Sequence, residues 1–185
     1  MIYYTGIGSR DTPEAVLRWF KIYSHVLADL GATLRSGAAP GADAAFEEGC
    51  DRASGLKEIY LPWKNFQKST SPHFDVSPEA QMIAAEIYGD RFMYLKRPVK
   101  LLMSRNCYQV TGLTLDTPSK FVLCWTPDGC SSANERSKKS GGTGQAIAYA
   151  STLGIPVFNI QRIGIEEEFL QFLNEEFSYD TSPYV

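Results

Sequence analysis

The sequence predicts an α/β protein with a Rossmann-like, doubly wound parallel sheet and helices on both faces. Three observations carry this expectation. Short apolar runs alternate with amphipathic segments of helix length, glycine-rich turns follow several of the runs, and a formal charge of only −3 on a chain that is 44% hydrophobic excludes a disordered one. A length of 185 residues fits one domain with a well-buried core. The expectation is a single domain over residues 1–185 with a partly irregular insert at about 62–103.

Ile2 to Ile7 reads as a short buried strand running into Gly6-Ile7-Gly8-Ser9-Arg10. The next helix has clear start signals, with Thr12 as N-cap, Pro13 at the first helical position and Glu14 in the first turn. Val16, Phe20, Tyr23, Leu27 and Leu30 then form one apolar face at helical spacing, and Gly31 is the expected stop. Ala32 to Arg35 is a second strand, and Ser36-Gly37-Ala38-Ala39-Pro40-Gly41-Ala42-Asp43 leads into a helix that ends near Ala53. Leu56 to Leu61 is a third strand, closed by Pro62.

Beyond it the rhythm breaks. Trp63 to Ser77 is polar and irregular, Ser77 caps a helix from Pro78 to about Tyr88, and another helix is expected from Pro98 to about Val110. Lys120 to Trp125 is a fourth strand, and Asp128 to Gly144 is Ser/Lys/Gly-rich without apolar periodicity. A helix over Gln145 to Leu153, a strand over Ile155 to Ile160 and an amphipathic helix carrying Ile165, Phe169, Phe172, Leu173 and Phe177 complete the chain.

The charge is unevenly spread: residues 62–140 hold eleven basic and seven acidic groups, residues 141–185 one and six. A mild basic excess in the middle suits an anionic ligand there and is too weak to name nucleic acid as the partner. No apolar stretch is long enough for a membrane span, and MIYYTGIGSR lacks the basic-then-apolar order of a signal peptide. Cys50, Cys107, Cys124 and Cys130 form no C-x-x-C pair or zinc spacing. A cytoplasmic protein without metal, further cofactor or membrane partner is expected.

Three glycine-rich segments follow strands and precede helices: Gly6 to Arg10, Ser36 to Gly41, and Ser140-Gly141-Gly142-Thr143-Gly144. Glycine lets the backbone approach a ligand, and a helix N-terminus offers free N–H groups with partial positive charge, so a phosphate or carboxylate is the natural occupant. In an open parallel sheet all three would meet along the edge where the strands end. None matches the dinucleotide fingerprint, and GxxxxGK[ST] is absent.

These segments resemble the SLOG superfamily of Rossmann-like domains, which includes the DNA-processing protein A family and the LONELY GUY phosphoribohydrolases. Ser36 to Asp43 is similar to the SG-x-A-x-G-x-D run of the DNA-processing branch, the closer of the two, and Ser104-Arg105-Asn106 to its Arg-Asn pair. The resemblance covers about residues 2–160 without much of 62–97. It implies a five- or six-strand parallel sheet, a phosphate-bearing ligand above the glycine loops and a homo-oligomer. The LONELY GUY pattern PGG-x-GT-x-x-E is met only in part, because Gln145 replaces its threonine and Ala148 its glutamate. The phosphate cradle is kept without the usual acid, and hydrolysis would need Asp43 or Glu47 as a substitute.

The candidate ligand-binding residues are Gly6, Gly8, Ser9, Arg10, Ser36, Gly37, Ala38, Gly41, Asp43, Arg105, Asn106, Trp125, Gly141, Gly142, Thr143 and Gly144. Arg10 and Arg105 would neutralise phosphate and Trp125 would cover a base. Asp43 and Glu47 are the candidate catalytic residues. The expected function is binding of a nucleotide or nucleotide-derived signal, as a sensor or sequestering module. The alternatives are a nucleoside-monophosphate N-glycosidase and a recombination mediator that binds single-stranded DNA.

Overall fold

The computed structural model describes residues 1–179. Five parallel strands, β1 (Ile2–Gly8), β2 (Ala32–Ser36), β3 (Lys57–Ile59), β4 (Phe121–Trp125) and β5 (Val157–Asn159), lie in the order β3-β2-β1-β4-β5. Six helices flank them: α1 (Glu14–Asp29), α2 (Ala42–Arg52), α3 (Pro78–Tyr88), α4 (Arg97–Thr111), α5 (Gly141–Thr152) and α6 (Ile165–Phe177). Among the described residues no helix is long and apolar enough to cross a membrane.

The chain builds outward from β1 to β3, then returns to the other side of β1 with β4. The order therefore reverses between β1 and β4, whose register aligns Gly6 with Leu123 and Gly8 with Trp125. In an open α/β sheet this reversal opens a crevice at the strand ends.

Strand residues alternate between two cores, as a period of two requires. Tyr4, Leu34, Phe121, Leu123 and Trp125 face α1, α2 and α6 in a cluster rich in rings, where Phe20 stacks on Phe46 at 4.2 Å and Phe121 meets Phe169 at 5.8 Å. Ile7, Val122 and Cys124 face the other way, against Cys107 and Val110 of α4 and Ala146, Ile147 and Ala150 of α5. Buried hydroxyls tie strands to helices and to one another: Thr5 Oγ1 donates to the Gln109 carbonyl at 2.6 Å, and Ser36 Oγ to the Gly6 carbonyl at 2.7 Å.

Strands β3 and β5 are shorter than the expected 56–61 and 155–160, α4 begins at Arg97 rather than Pro98, and the starts of α1 and α5 differ for physical reasons. Helix α1 begins at Glu14 with Pro13 at the capping position, and the Thr12 hydroxyl donates back to the Ser9 carbonyl at 2.7 Å instead of capping. Helix α5 begins at Gly141 rather than Gln145. A 3₁₀ turn over Lys138–Ser140, closed by a reciprocal cap between Ser137 and Ser140, delivers the chain directly into the helix. The third glycine run is thus the first turn of α5.

Helices α1 and α2 approach closely because Gly49 has no side chain. A Cβ there would lie 2.2 Å from the Lys21 carbonyl oxygen, which is backbone and cannot turn away. Gly49→Ala is expected to lower stability by about 1–3 kcal/mol, or about 2–12 °C in Tm. Thermal denaturation checks this, and an unchanged Tm contradicts it.

Candidate functional site

The crevice at the strand reversal is a cleft of about 340 Å³. Its walls come from the turn after β1 (Gly8 to Asp11), the loop into α2 and its first turn (Ala39 and Asp43), one face of α4 (Leu102, Met103, Arg105, Asn106 and Gln109) and the 3₁₀ turn and first turn of α5 (Lys139 to Thr143). Of the expected ligand-binding residues, it brings together Gly8, Ser9, Arg10, Asp43, Arg105, Asn106, Gly141, Gly142 and Thr143.

Each wall has a local cause. Ser9 builds the first turn, its hydroxyl accepting from the Asp11 amide at 3.1 Å, and this leaves Arg10 exposed at the cleft. The start of α5 is held from two sides. Asn106 Nδ2 donates to the Gly142 carbonyl at 3.0 Å and to Gln145 Oε1 at 3.1 Å, fixing helix α5 against α4. On the far side Asp128 accepts from Ser140 Oγ at 2.7 Å and from the Ser137 hydroxyl. Partial burial opposes ionisation of Asp128, yet hydrogen bonds from Ser137, Ser140, Thr126 and the Cys130 amide outweigh it and hold the carboxyl down to about 2.

The centre of the cleft is Arg105. It is 4% exposed, and its slot exists because residue 37 is glycine: a Cβ there would lie 1.3 Å from Arg105 Nη1. Nη1 donates to the Tyr60 carbonyl at 3.2 Å and stands 3.8 Å from Asp43 Oδ2, beyond a hydrogen bond. Nε is buried without a partner, as is Gln109 Nε2. Burial pulls the Arg105 pKa down; Asp43 opposes the shift and Arg10 adds to it.

Asp43 is also 4% exposed. Burial raises its carboxyl to about 6 against the opposing pull of Arg105 and of hydrogen bonds from the Ala39 and Gly8 amides, while Glu47 adds a smaller push upward. The Ala39 amide donates to Oδ2 at 3.3 Å. Asp43 is thus the resident anion of its own loop, and the amides of Ala39 and Gly8 already hold its side chain rather than a ligand.

The other expected residues lie elsewhere. Gly6 faces the aromatic core, where a Cβ would come within 2.7 Å of the Phe46 ring. Ser36 is fully buried and bonded to the Gly6 carbonyl. Gly37 makes the arginine slot, and Gly41, at φ 88°, passes under the carbonyls of Ser9 and Arg10, with a virtual Cβ 2.8 Å from both. Ala38, at φ 57°, packs against the aromatic core. Gly144 lies one turn inside α5, where a Cβ would meet that of Ser140 at 2.3 Å. Glu47 points outward to Lys57 at 2.8 Å. Trp125 lies on the α1/α2/α6 face and its indole N–H donates to Gln161 Oε1 at 2.9 Å, so it does not line the cleft. The register explains this, because Trp125 shares its side of β4 with Phe121 and Leu123, whereas α4 and α5 pack on the other.

Sequence reasoning missed Leu102, Met103 and Gln109. The signal was present: Leu102, Arg105, Asn106 and Gln109 are spaced i, i+3, i+4, i+7 and share one helix face.

No protein-family model matches this chain, and neither a curated protein nor a solved structure matches it. Among the described residues no group of His, Cys, Asp and Glu is arranged to hold a metal ion.

A carboxyl whose pKa is raised on folding contributes most below its unfolded value, and that contribution is lost as pH rises through the folded value. For Asp43 the window runs from 3.8 to about 6. Asp43→Asn should therefore match the wild type near pH 4 and exceed it at pH 8, by about 2–3 kcal/mol for a shift of this size. Paired denaturant titrations at the two pH values test this; equal stability at pH 8 contradicts it.

Proposed function

We propose that the cleft binds the phosphate-bearing end of a nucleotide or nucleotide-derived ligand, and that the protein acts as a sensor or sequestering module of SLOG type, nearest the DNA-processing protein A-like branch. One observation carries the reading. A guanidinium has five donors, and that of Arg105 is buried in the cleft wall with one hydrogen bond, a carboxylate just out of reach and a stranded Nε. Groups buried this way are normally satisfied, so the natural reading is that the missing acceptor arrives with a ligand. An anion there would also meet Arg10 and the first-turn amides of α5. The cleft volume suits a small molecule.

A second reading, N-glycosidic hydrolysis of a nucleotide, is favoured by Asp43 alone, since a buried carboxyl raised to about 6 can deliver a proton near neutral pH. Base release from nucleoside monophosphates, abolished in Asp43→Asn, would establish it. The four unpaired cysteines support a cytoplasmic location, and the likeness to SLOG domains supports a homo-oligomer.

Native mass spectrometry of the freshly purified protein is expected to show a co-purified nucleotide. In calorimetry Arg10→Ala should weaken binding of that nucleotide by about 1.5–3 kcal/mol, the scale of a hydrogen bond to a charged group. Unchanged affinity would remove Arg10 from the site.

A further inference from the structure

Asp43 is the buried carboxylate of the cleft, and its charged neighbours come from every side. Arg105 faces it from α4, Arg10 and Asp11 line the cleft from the turn after β1, Lys139 lines it ahead of α5, and Glu47 acts from its own helix. An anion bound at the Arg105 guanidinium lies beside Asp43, because Nη1 stands 3.8 Å from the carboxylate and both residues line the same cleft. Two negative groups beside one buried guanidinium repel strongly, and one proton held between them turns the repulsion into a hydrogen bond. Which anions allow this is a matter of their own chemistry. A phosphomonoester exchanges its second proton at about pH 6, whereas a phosphodiester and a sulfate have no comparable proton near neutrality.

We infer that the cleft selects a terminal phosphomonoester, bound with one proton shared between a phosphate oxygen and a carboxylate oxygen of Asp43, over phosphodiesters and sulfates. The proton enters with a monoanionic phosphate or is taken from solvent when the dianion binds, and no bond of the ligand is broken. Burial already places Asp43 at about 6, so the two groups hold the shared proton with similar strength. The inference rests on the reading of the cleft as a phosphate site and adds to it a choice among phosphates. Nucleotides with a free terminal phosphate fit; internal backbone phosphates of nucleic acid do not.

The test uses the full chain, titrated at pH 7 and constant ionic strength with methyl phosphate, dimethyl phosphate and sulfate, and followed by the amide NMR shifts of Gly142 and Thr143. Methyl phosphate is expected to bind at least about ten-fold more tightly than the other two, the lower end for one charge-assisted hydrogen bond. Sulfate, with its larger charge, serves as the control for simple attraction. In Asp43→Asn the preference should shrink to within about three-fold, as the uncharged amide no longer penalises anions that lack the proton. Sulfate or dimethyl phosphate binding the wild type as tightly as methyl phosphate overturns the inference while leaving an anion site in place. So does a preference that persists unchanged in Asp43→Asn. Amides that respond to none of the three anions, in either protein, overturn the phosphate-site reading and this inference together.

Discussion

The guanidinium of Arg105 is the constraint around which the cleft is organised. An arginine can be buried only where space, a counter-charge and acceptors are provided, and three separate elements provide them here. The loop after β2 gives up a side chain at Gly37, the residue after β3 supplies the Tyr60 carbonyl, and the first turn of α2 supplies Asp43. These contributions leave the guanidinium under-satisfied. A site that held arginine purely for structure would be expected to close its hydrogen bonds, as Arg35 does with Glu58 and the Thr117 carbonyl.

The glycine-rich segments divide the work differently from their appearance in the chain. The glycines of the middle segment shape backbone, one admitting Arg105 and another letting the loop pass beneath Ser9 and Arg10, while the amide of Ala39 is taken by Asp43. Free main-chain donors are left at the start of α5. The two arginines, one exposed and one buried, stand where charge is needed to complement those donors.

Sheet and helices were legible because their signals are local and periodic. Alternating Phe121, Val122, Leu123, Cys124 and Trp125 mark a strand buried on both sides, and the 3.6-residue spacing from Val16 to Leu27 marks a helix. Read further, the same alternation places Trp125 with Phe121 and away from α4, which sets its side chain outside the cleft. Arg105 could be singled out from its motif, but its burial could not, because the slot depends on Gly37, far away in the chain. Gln109 was hidden for a simpler reason: one amide in a helix carries no chemical mark until its turn-by-turn neighbours Arg105 and Leu102 are considered with it. The start of α5 is illegible because three glycines and a threonine look like loop, while the restraint that makes them helical comes from Ser137, Asp128 and Asn106.

The acidity of Asp128 has a practical side. Its carboxyl stays ionised down to about 2, whereas Asp43 changes state near 6. The clamp behind the α5 amides and the carboxylate in front of them therefore respond to acid some four decades of proton activity apart. A mildly acidic buffer thus alters the electrostatics inside the cavity while its rear buttress stays intact.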